Sequence, residues 1–298
     1  HIYEYFMENK CEKYQKTGLQ RDVIDKYYTC PSVVERCMKL LLSNVKITEH
    51  DLVVEPSAGN GSFISSIESL GCNNMFIDIE PQHDLVIKQD YLGDNLDMKL
   101  YEEIKRNKIE NIHVIGNPPF GRQSSLAIKF IKKSCFYCDT LAFILPRSFK
   151  KESMKKHIPL NFHCLIEEDI MENGFIVNEE SYNVPCVFQI WIKKSNMRNK
   201  EKQLFPVGYK FVKKTESPDI SFRRVGVNAG SIYRGNDIIN KSEQSHYFIR
   251  FDNELDDDTF EKICKLDYKS GVDTVGPCSI SKPELTREFN SIFDCINV

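Results

Sequence analysis

The sequence contains no long apolar run. None of its apolar stretches approaches the roughly 18 residues that a membrane-spanning helix needs. The first ten residues, HIYEYFMENK, resemble neither a secretory signal nor a transit peptide. We therefore expect a protein that does not enter a membrane and that works inside the cell, in the cytoplasm or the nucleus.

The sequence also lacks an excess of positive charge. The net charge is −3, which argues against a wholly basic nucleic-acid surface. The charge is uneven, however. Five basic residues and one acid lie between Arg147 and Lys156, the same counts recur between Lys193 and Lys202, and the segment 252–261 holds six acids and no base. Basic runs of this kind either attract phosphate or form an ordinary solvated face.

The cysteines do not form the compact, even-numbered set of a small disulfide framework. There are 11 of them, scattered along 298 residues, which favours a reducing compartment. Cys135 and Cys138 have the spacing of a redox or zinc pair, but no second pair lies near them, so we expect buried thiols. None of the seven histidines has ligand spacing, and we predict no metal site.

Short apolar runs alternate with helix-like segments through most of the chain. The runs 51–56, 74–79, 113–116 and 140–145 are each closed by a proline, an acid or an asparagine. This pattern predicts an α/β domain with a doubly wound, mostly parallel sheet and helices on both faces. Residues 183–192 alternate like an edge or hairpin strand, so we expect an antiparallel edge strand. The rhythm changes after that strand, which predicts a small C-terminal appendage.

In such a sheet a ligand binds beyond the carboxyl ends of the strands. The loop Glu55-Pro-Ser-Ala-Gly-Asn-Gly61 follows the first strand, and its glycines let the backbone approach a ligand. The loop is not GxGxxG, because Ile64 stands where a glycine is needed, and no GK[ST] follows it. Glu55 would repel a pyrophosphate but could hold an amino group. Asp78, at the end of the second strand, is placed to bind a ribose diol. An adenosine carrying an amino acid and a sulfonium fits these features.

A second unusual stretch follows the third strand. In Asn117-Pro118-Pro119-Phe120 an amide and an aromatic ring flank two prolines, which cannot continue a central strand. Such a pair is on its own usually a turn. The prolines also fix the backbone, and this favours a site in which polar groups must be held rigidly.

Taken in order, these motifs resemble the S-adenosylmethionine-dependent adenine-N6 methyltransferases. The matching segments are Val54–Gly61, Asp78–Pro81, Gln89–Tyr91 and Asn117–Phe120. The cofactor loop precedes the NPPF tetrad and a further segment follows the catalytic region, which resembles the gamma arrangement of that family. Upstream, Asp25–Pro31 and the helix after it resemble the family's segment that closes over the methionine moiety. The resemblance covers roughly residues 25–192.

The resemblance implies a Rossmann-like class I methyltransferase fold and S-adenosylmethionine (AdoMet) as cofactor. It implies an N-terminal closing segment at 1–50, a catalytic domain at 51–195 and a small recognition or accessory region at 196–298. The implied cofactor-binding residues are Tyr28, Thr29, Glu55, Pro56, Ser57, Gly59, Gly61, Asp78, Ile79, Asp90 and Tyr91. The implied catalytic residues are the four of the tetrad. As nucleic-acid contacts we predict Arg147, Lys150, Arg223 and Arg224.

The chemistry of the tetrad follows from the nucleophile. An exocyclic amine on a purine ring is a poor nucleophile because its lone pair is delocalised. If the side-chain oxygen of Asn117 and the main-chain oxygen of Pro118 each accept one N–H bond, the nitrogen is drawn towards tetrahedral geometry. Phe120 would then stack on a base that has left its duplex or single strand.

Three functions remain open from the sequence. The first is methylation of adenine N6 in nucleic acid, with DNA preferred over RNA. The second keeps the chemistry on another substrate, such as messenger-cap adenosine, ribosomal guanine N2 or a protein glutamine, because related tetrads serve these too. The third is a catalytically silent subunit that keeps the fold to bind a protein partner. Cys186 and Cys278 each follow a proline, as in cytosine-C5 methyltransferases, but their positions indicate structural roles.

Overall fold

The chain is described by a computed structural model that covers residues 27–93, 102–171, 173–177, 180–200, 202–268, 271, 273–274 and 277–293. Within these residues, 27–200 form one compact unit and 202–293 form another. Residues 1–26, which hold much of the predicted closing segment, including Asp25 and Lys26, lie outside the described residues.

The first unit is built on a seven-stranded sheet. The strands of the whole unit, in chain order, are β1 (Tyr28–Thr29), β2 (Leu52–Glu55), β3 (Asn73–Asp78), β4 (Ile87–Lys88), β5 (Ile112–Gly116), β6 (Thr140–Pro146), β7 (Phe162–Asp169), β8 (Phe175–Val177), β9 (Glu180–Tyr182) and β10 (Cys186–Lys193). Of these, β1, β8 and β9 belong to a separate small sheet. The large sheet has the order β4-β3-β2-β5-β6-β10-β7, and β10 alone runs opposite to its other six strands. The predicted Rossmann-like α/β fold with a mostly parallel sheet is confirmed.

The antiparallel strand does not lie at the edge. β10 pairs with β6 on one side and with β7 on the other, so β7 is the edge strand. The alternation at 183–192 predicts an edge or hairpin strand, and the antiparallel pairing with β7 agrees with a hairpin strand. In the fold Gln189 is fully buried and is hydrogen-bonded to the main-chain oxygen of Phe149 at 3.1 Å and to Glu167 at 2.7 Å. A satisfied polar side chain is thus accepted inside the sheet.

Helices cover both faces of this sheet. They are α1 (Pro31–Asn44), α2 (Ile64–Glu68), α3 (Ser125–Tyr137) and α4 (Glu152–Lys155), with a helical segment at 102–107 and single 3₁₀ turns at Arg122–Ser124 and Arg147–Lys150. All residues of β2 and β6 are buried, as expected for parallel strands covered on both faces. Cys135 and Cys138 are free thiols and buried, as predicted.

A small second sheet holds the start of the described chain. β1 pairs with β8, and β8 pairs with β9, all antiparallel. Tyr27, just before β1, stacks on Tyr182 with 5.6 Å between ring centroids and meets Phe175 edge-on at 6.4 Å. The β8–β9 hairpin, which follows β7 and precedes β10 in the chain, therefore holds β1 in place ahead of α1.

The second unit is a four-stranded antiparallel sheet backed by two helices. Its elements are β11 (Tyr209–Val212), β12 (Ile220–Arg223), β13 (Ile232–Arg234), β14 (His246–Phe251), α5 (Asp257–Cys264) and α6 (Lys282–Phe293), and the sheet order is β11-β14-β12-β13. Aromatic rings fill its core, where Phe289 of α6 meets Tyr209 at 5.4 Å and Phe222 at 6.3 Å. Across the described parts of both units, no helix combines the length and apolarity needed to cross a bilayer.

Candidate active site

The first unit has a cavity of about 700 Å³ at the carboxyl ends of β2, β3 and β5. This size falls within the roughly 300–1,000 Å³ typical of small-molecule sites. Its wall consists of Tyr27, Tyr28, Thr29, Glu55, Pro56, Ser57, Ala58, Gly59, Asn60, Ser62, Phe63, Asp78, Ile79, Glu80, Asp90, Tyr91, Leu92, Asn117, Pro119, Leu126 and Phe130. Most of the residues selected from the sequence as cofactor-binding or catalytic therefore lie around one space. Gly61, Pro118 and Phe120 lie outside its wall.

The loop after β2 is held against the end of β3. The amide of Gly59 donates to Asp78 Oδ2 at 2.8 Å, and the amide of Ala58 donates to the main-chain oxygen of Ile77 at 2.9 Å. Gly59 and Gly61 have φ values of +48° and +82°, which explains why this turn contains glycine. The loop is thus a rigid floor for the cavity.

Glu55 is a buried acid at the base of the cavity. Only 2% of it is exposed, and its Oε2 has no hydrogen-bond partner among the described residues. Burial raises the pKa of this carboxyl to about 8, and the negative charge of Asp78 adds to the shift. Gly116 lies close against it with φ +147°, so a methyl group there would sit 3.2 Å from Glu55 Cγ. A buried carboxyl without a partner is costly unless a ligand supplies a donor or a cation.

Asp78 is half-buried at the end of β3, and backbone groups occupy both of its oxygens. Besides the bond from Gly59, Oδ1 accepts from the amide of Glu80 at 2.8 Å. Each carboxylate oxygen can accept a further bond, so a hydroxyl of a ligand could still be held. The next residue, Ile79, exposes 64% of its surface at the cavity wall, which offers an apolar contact to a ligand.

Asp90 and Tyr91 also line this cavity. Asp90 Oδ1 accepts from the amide of Leu92 at 2.9 Å, so this carboxylate caps the following turn. Tyr91 is buried, its ring stacks on Phe130 at 5.1 Å, and its hydroxyl is hydrogen-bonded to Ser134 at 2.7 Å and also to Tyr137. Burial raises the pKa of Tyr91. Its hydroxyl is engaged in the core, which leaves its ring for the cavity.

Asn117 has a fixed side-chain orientation. Its Nδ2 donates to the main-chain oxygen of Tyr27 at 3.1 Å and to Thr29 Oγ1 at 3.3 Å. A carbonyl oxygen can only accept, so the amino half of the amide must face Tyr27. The other half, Oδ1, is buried and has no partner among the described residues. The main-chain oxygen of Asn117 accepts from Ser57 Oγ at 3.1 Å, which ties the tetrad to the cofactor loop.

The rest of the tetrad forms a tight exit from β5. Pro118 is buried, while Pro119 and Phe120 are half-buried. The main-chain oxygen of Phe120 accepts from the amides of Leu126 at 3.1 Å and Ala127 at 3.3 Å, so the tetrad is joined to the first turn of α3. Leu126 and Phe130 of that helix line the cavity, a role that helical periodicity could predict only as core packing.

The basic residues selected from the sequence are engaged within their own units. Arg147 Nε and Lys150 Nζ share the carboxylate of Asp169, at 3.5 Å and 3.2 Å. In the second unit, Arg223 donates to the main-chain oxygen of Val225 at 2.8 Å. Arg224 donates to the main-chain oxygen of Gln244 at 2.7 Å and lies 5.6 Å from the ring centre of Tyr247.

No protein-family model matches the sequence, and no curated protein matches it. Among solved structures, the chain is similar to a protein from Pyrococcus horikoshii described as an RNA methyltransferase. The identity is 16%, the match covers 65% of this chain and 99% of that one, and the TM-score is 0.40. A Listeria monocytogenes protein described as a class I S-adenosylmethionine-dependent methyltransferase shares 14% identity over 61% of this chain and 66% of that one, with a TM-score of 0.43.

A modification subunit from Vibrio vulnificus, attributed to a type I restriction enzyme, shares 11% identity over 85% of this chain and 63% of that one, with a TM-score of 0.42. At these identities the likeness concerns the fold and does not extend to substrate.

Proposed function

We propose that this protein is an AdoMet-dependent methyltransferase that modifies the exocyclic N6 of adenine in nucleic acid, with DNA as the preferred polymer. The observation that carries the proposal is the side chain of Asn117. Asn117 lines a cavity whose other residues suit the cofactor, and its side-chain oxygen is buried and has no partner among the described residues. The choice of adenine and DNA rests on the resemblance of the motifs.

The residues present fit AdoMet. The unpartnered Oε2 of Glu55 suits the ammonium group of the methionine moiety, which would supply the donors that this carboxyl lacks. Asp78 is proposed to accept from the ribose hydroxyls, Ile79 to contact the adenine ring, and Asp90 to accept from its amino group. When bound, AdoMet supplies a methyl group activated by a sulfonium.

The chain's own contribution is to hold the nitrogen that is methylated. Asn117 Oδ1 and the main-chain oxygen of Pro118 are proposed to accept the two N–H bonds of the adenine amine. Their positions are set before the substrate arrives, because the amide is bound through its amino half and the prolines fix the backbone. Phe120 is proposed to stack on the extruded base.

The function is tested by supplying radiolabelled AdoMet with duplex DNA, single-stranded DNA, ribosomal RNA or capped RNA, and identifying the methylated nucleoside by mass spectrometry. We expect N6-methyladenine in DNA, formed far more slowly by the Asn117→Ala variant. Label found only in RNA, or on another base, would mean that the substrate is that polymer or that base instead. AdoMet binding without transfer to any polymer would favour the silent binding subunit, which needs a protein partner.

Replacing Asp78 by Ala is expected to weaken AdoMet binding by about 1–3 kcal/mol, the size of a lost hydrogen bond to a charged group. The loop also loses the bond from Gly59, so the variant Asp78→Asn, which keeps one acceptor oxygen, should lose less. Calorimetry measures both, and NAD and ATP should not bind to the parent protein. An unchanged AdoMet affinity in Asp78→Ala would mean that a residue other than Asp78 binds the ribose.

Replacing Arg224 by Ala tests the proposed nucleic-acid contact of the second unit. If its guanidinium also contacts a phosphate, the slope of log affinity against log salt should become shallower by about one unit. AdoMet affinity should stay unchanged. A loss of unfolding free energy with no change in the slope would show that Arg224 serves only to hold the main chain at Gln244.

A further inference from the structure

We propose that Thr29 is a positioning residue for Asn117. Together with the main-chain oxygen of Tyr27, its hydroxyl holds the amino half of the Asn117 amide and so fixes where the amide oxygen lies. The inference rests on the proposed function for its catalytic meaning, but the orientation itself is a property of the ligand-free protein. It assigns to β1 a role in aligning the acceptor, beyond contact with the cofactor.

An asparagine amide has two nearly isosteric orientations, related by a half-turn about its last torsion. In one of them the oxygen faces the cavity, and in the other the amino group does. A proposed acceptor of N–H bonds works in the first orientation only, since an amino group would repel the hydrogens of the substrate amine. The partners of the amino half therefore decide whether the residue can act.

Both partners of the amino half belong to the segment Tyr27–Thr29. Asn117 Nδ2 lies 3.1 Å from the main-chain oxygen of Tyr27 and 3.3 Å from Thr29 Oγ1. A half-turn of the amide would bring its oxygen against the Tyr27 oxygen, so two acceptors would meet and that bond would be lost. The Thr29 hydroxyl can both donate and accept, so Tyr27 sets the direction of the amide and Thr29 adds a second bond that holds its amino half. Asn117 Oδ1 has no partner among the described residues, so no bond at that end sets the orientation.

Thr29 is itself held firmly enough to serve this purpose. It is 5% exposed, and its branched side chain has few accessible rotamers. In the small sheet Thr29 pairs with Phe175, and the next amide, that of Cys30, donates to the main-chain oxygen of Gly174 at 3.0 Å. The stacking of Tyr27 on Tyr182 holds the other end of the segment.

The decisive variants are Thr29→Val, which keeps the shape but removes the hydroxyl acceptor, and Thr29→Ser, which keeps the hydroxyl. Thr140→Val is the matched control, because Thr140 is a similarly buried threonine, 3% exposed, outside the cavity wall. The first measurement is hydrogen exchange of the Asn117 side-chain amide in the ligand-free protein, followed by NMR. We expect slow exchange in the parent, Thr29→Ser and Thr140→Val proteins, and faster exchange in Thr29→Val.

The second measurement separates kcat from cofactor affinity. Losing one hydrogen bond corresponds to a change of about 2- to 12-fold, so kcat at saturating AdoMet should fall by that factor in Thr29→Val and recover in Thr29→Ser. The proposal is overturned if Thr29→Val keeps slow amide exchange. It is also overturned if only the AdoMet affinity falls while kcat is unchanged, because Thr29 would then be a cofactor contact alone.

Failure of the proposed function has a different signature. If the parent protein transfers no methyl group, the exchange measurement still decides whether Thr29 holds the amino half of the Asn117 amide. Thermal unfolding of all three variants controls for stability. An equal loss of melting temperature and of amide protection in Thr29→Ser and Thr29→Val would assign Thr29 a purely structural role and overturn the proposal.

Discussion

Asn117→Ala is expected to raise the barrier to methyl transfer by about 2–4 kcal/mol, the range found when a preorganised partner of the transition state is deleted. The side chain supplies one of the two proposed acceptors for the attacking amine, and its oxygen has no other partner among the described residues. AdoMet binding should barely change, because the proposed cofactor contacts lie on β2, β3 and the segment at Asp90. Single-turnover transfer of labelled methyl groups measures the rate, and calorimetry measures cofactor affinity.

Asn117→Asp provides the matched comparison. It keeps an acceptor towards the cavity but places a second acceptor against the main-chain oxygen of Tyr27, where the amide now donates. We expect partial activity, above Asn117→Ala and below the parent. A folded Asn117→Ala protein that binds AdoMet and nucleic acid and still turns over at the parent rate would reduce the tetrad to a strand terminator.

Binding of AdoMet is expected to depend on pH through Glu55. In the ligand-free protein burial raises the pKa of this carboxyl to about 8, so it is largely neutral at pH 7. An ammonium group bound beside it favours the ionised form, so binding at pH 7 should release a proton and affinity should rise with pH until about 8. The steepest rise allowed for one proton is about tenfold per pH unit. Calorimetry in two buffers of different ionisation enthalpy counts the released proton, and Glu55→Gln should release none from this site.

The same carboxyl should lower the stability of the ligand-free protein as pH rises. Because its pKa is raised in the folded state, its contribution is fully present below the unfolded pKa near 4.5 and is lost as pH rises through about 8. The unfolding free energy of Glu55→Gln, relative to the parent, should therefore increase from pH 5 to pH 8. Denaturant titrations at several pH values test this. Parallel pH profiles for the two proteins would mean that a hydrogen-bond donor or a cation pairs with the Glu55 carboxylate in solution.

Much of the architecture was readable from local features of the sequence. The apolar runs at Leu52–Glu55 and Thr140–Pro146 indicated buried parallel strands, and both are buried throughout. The spacing of Val33, Val34, Cys37, Met38 and Leu41 indicated one face of a helix, and these residues are the buried face of α1. Such signals work because backbone periodicity and burial depend on neighbours a few residues away. The roles of the glycines in the cofactor loop and of the prolines in the tetrad could be predicted for the same reason.

The position of β10 in the sheet could not be predicted from neighbouring residues in the sequence. Its alternation indicated an edge or hairpin strand, but the partners that satisfy Gln189 inside the sheet are Phe149 and Glu167, far away along the chain. Likewise, Asp169 lies far along the chain from Arg147, and only the fold brings the two together.

The state of the candidate site was decided by tertiary structure alone. The sequence by itself determined that an asparagine follows β5 and that an acid follows Val54, because residue type and strand ends are written locally. Only the fold decided that the Asn117 amide is held through its amino half, since its partners at Tyr27 and Thr29 are some 90 residues away and are held by the hairpin at Phe175. Only the fold buries Glu55 without a partner and so raises its pKa. Hydrogen-bond direction and desolvation depend on all the atoms around a group, and chain folding is what assembles them.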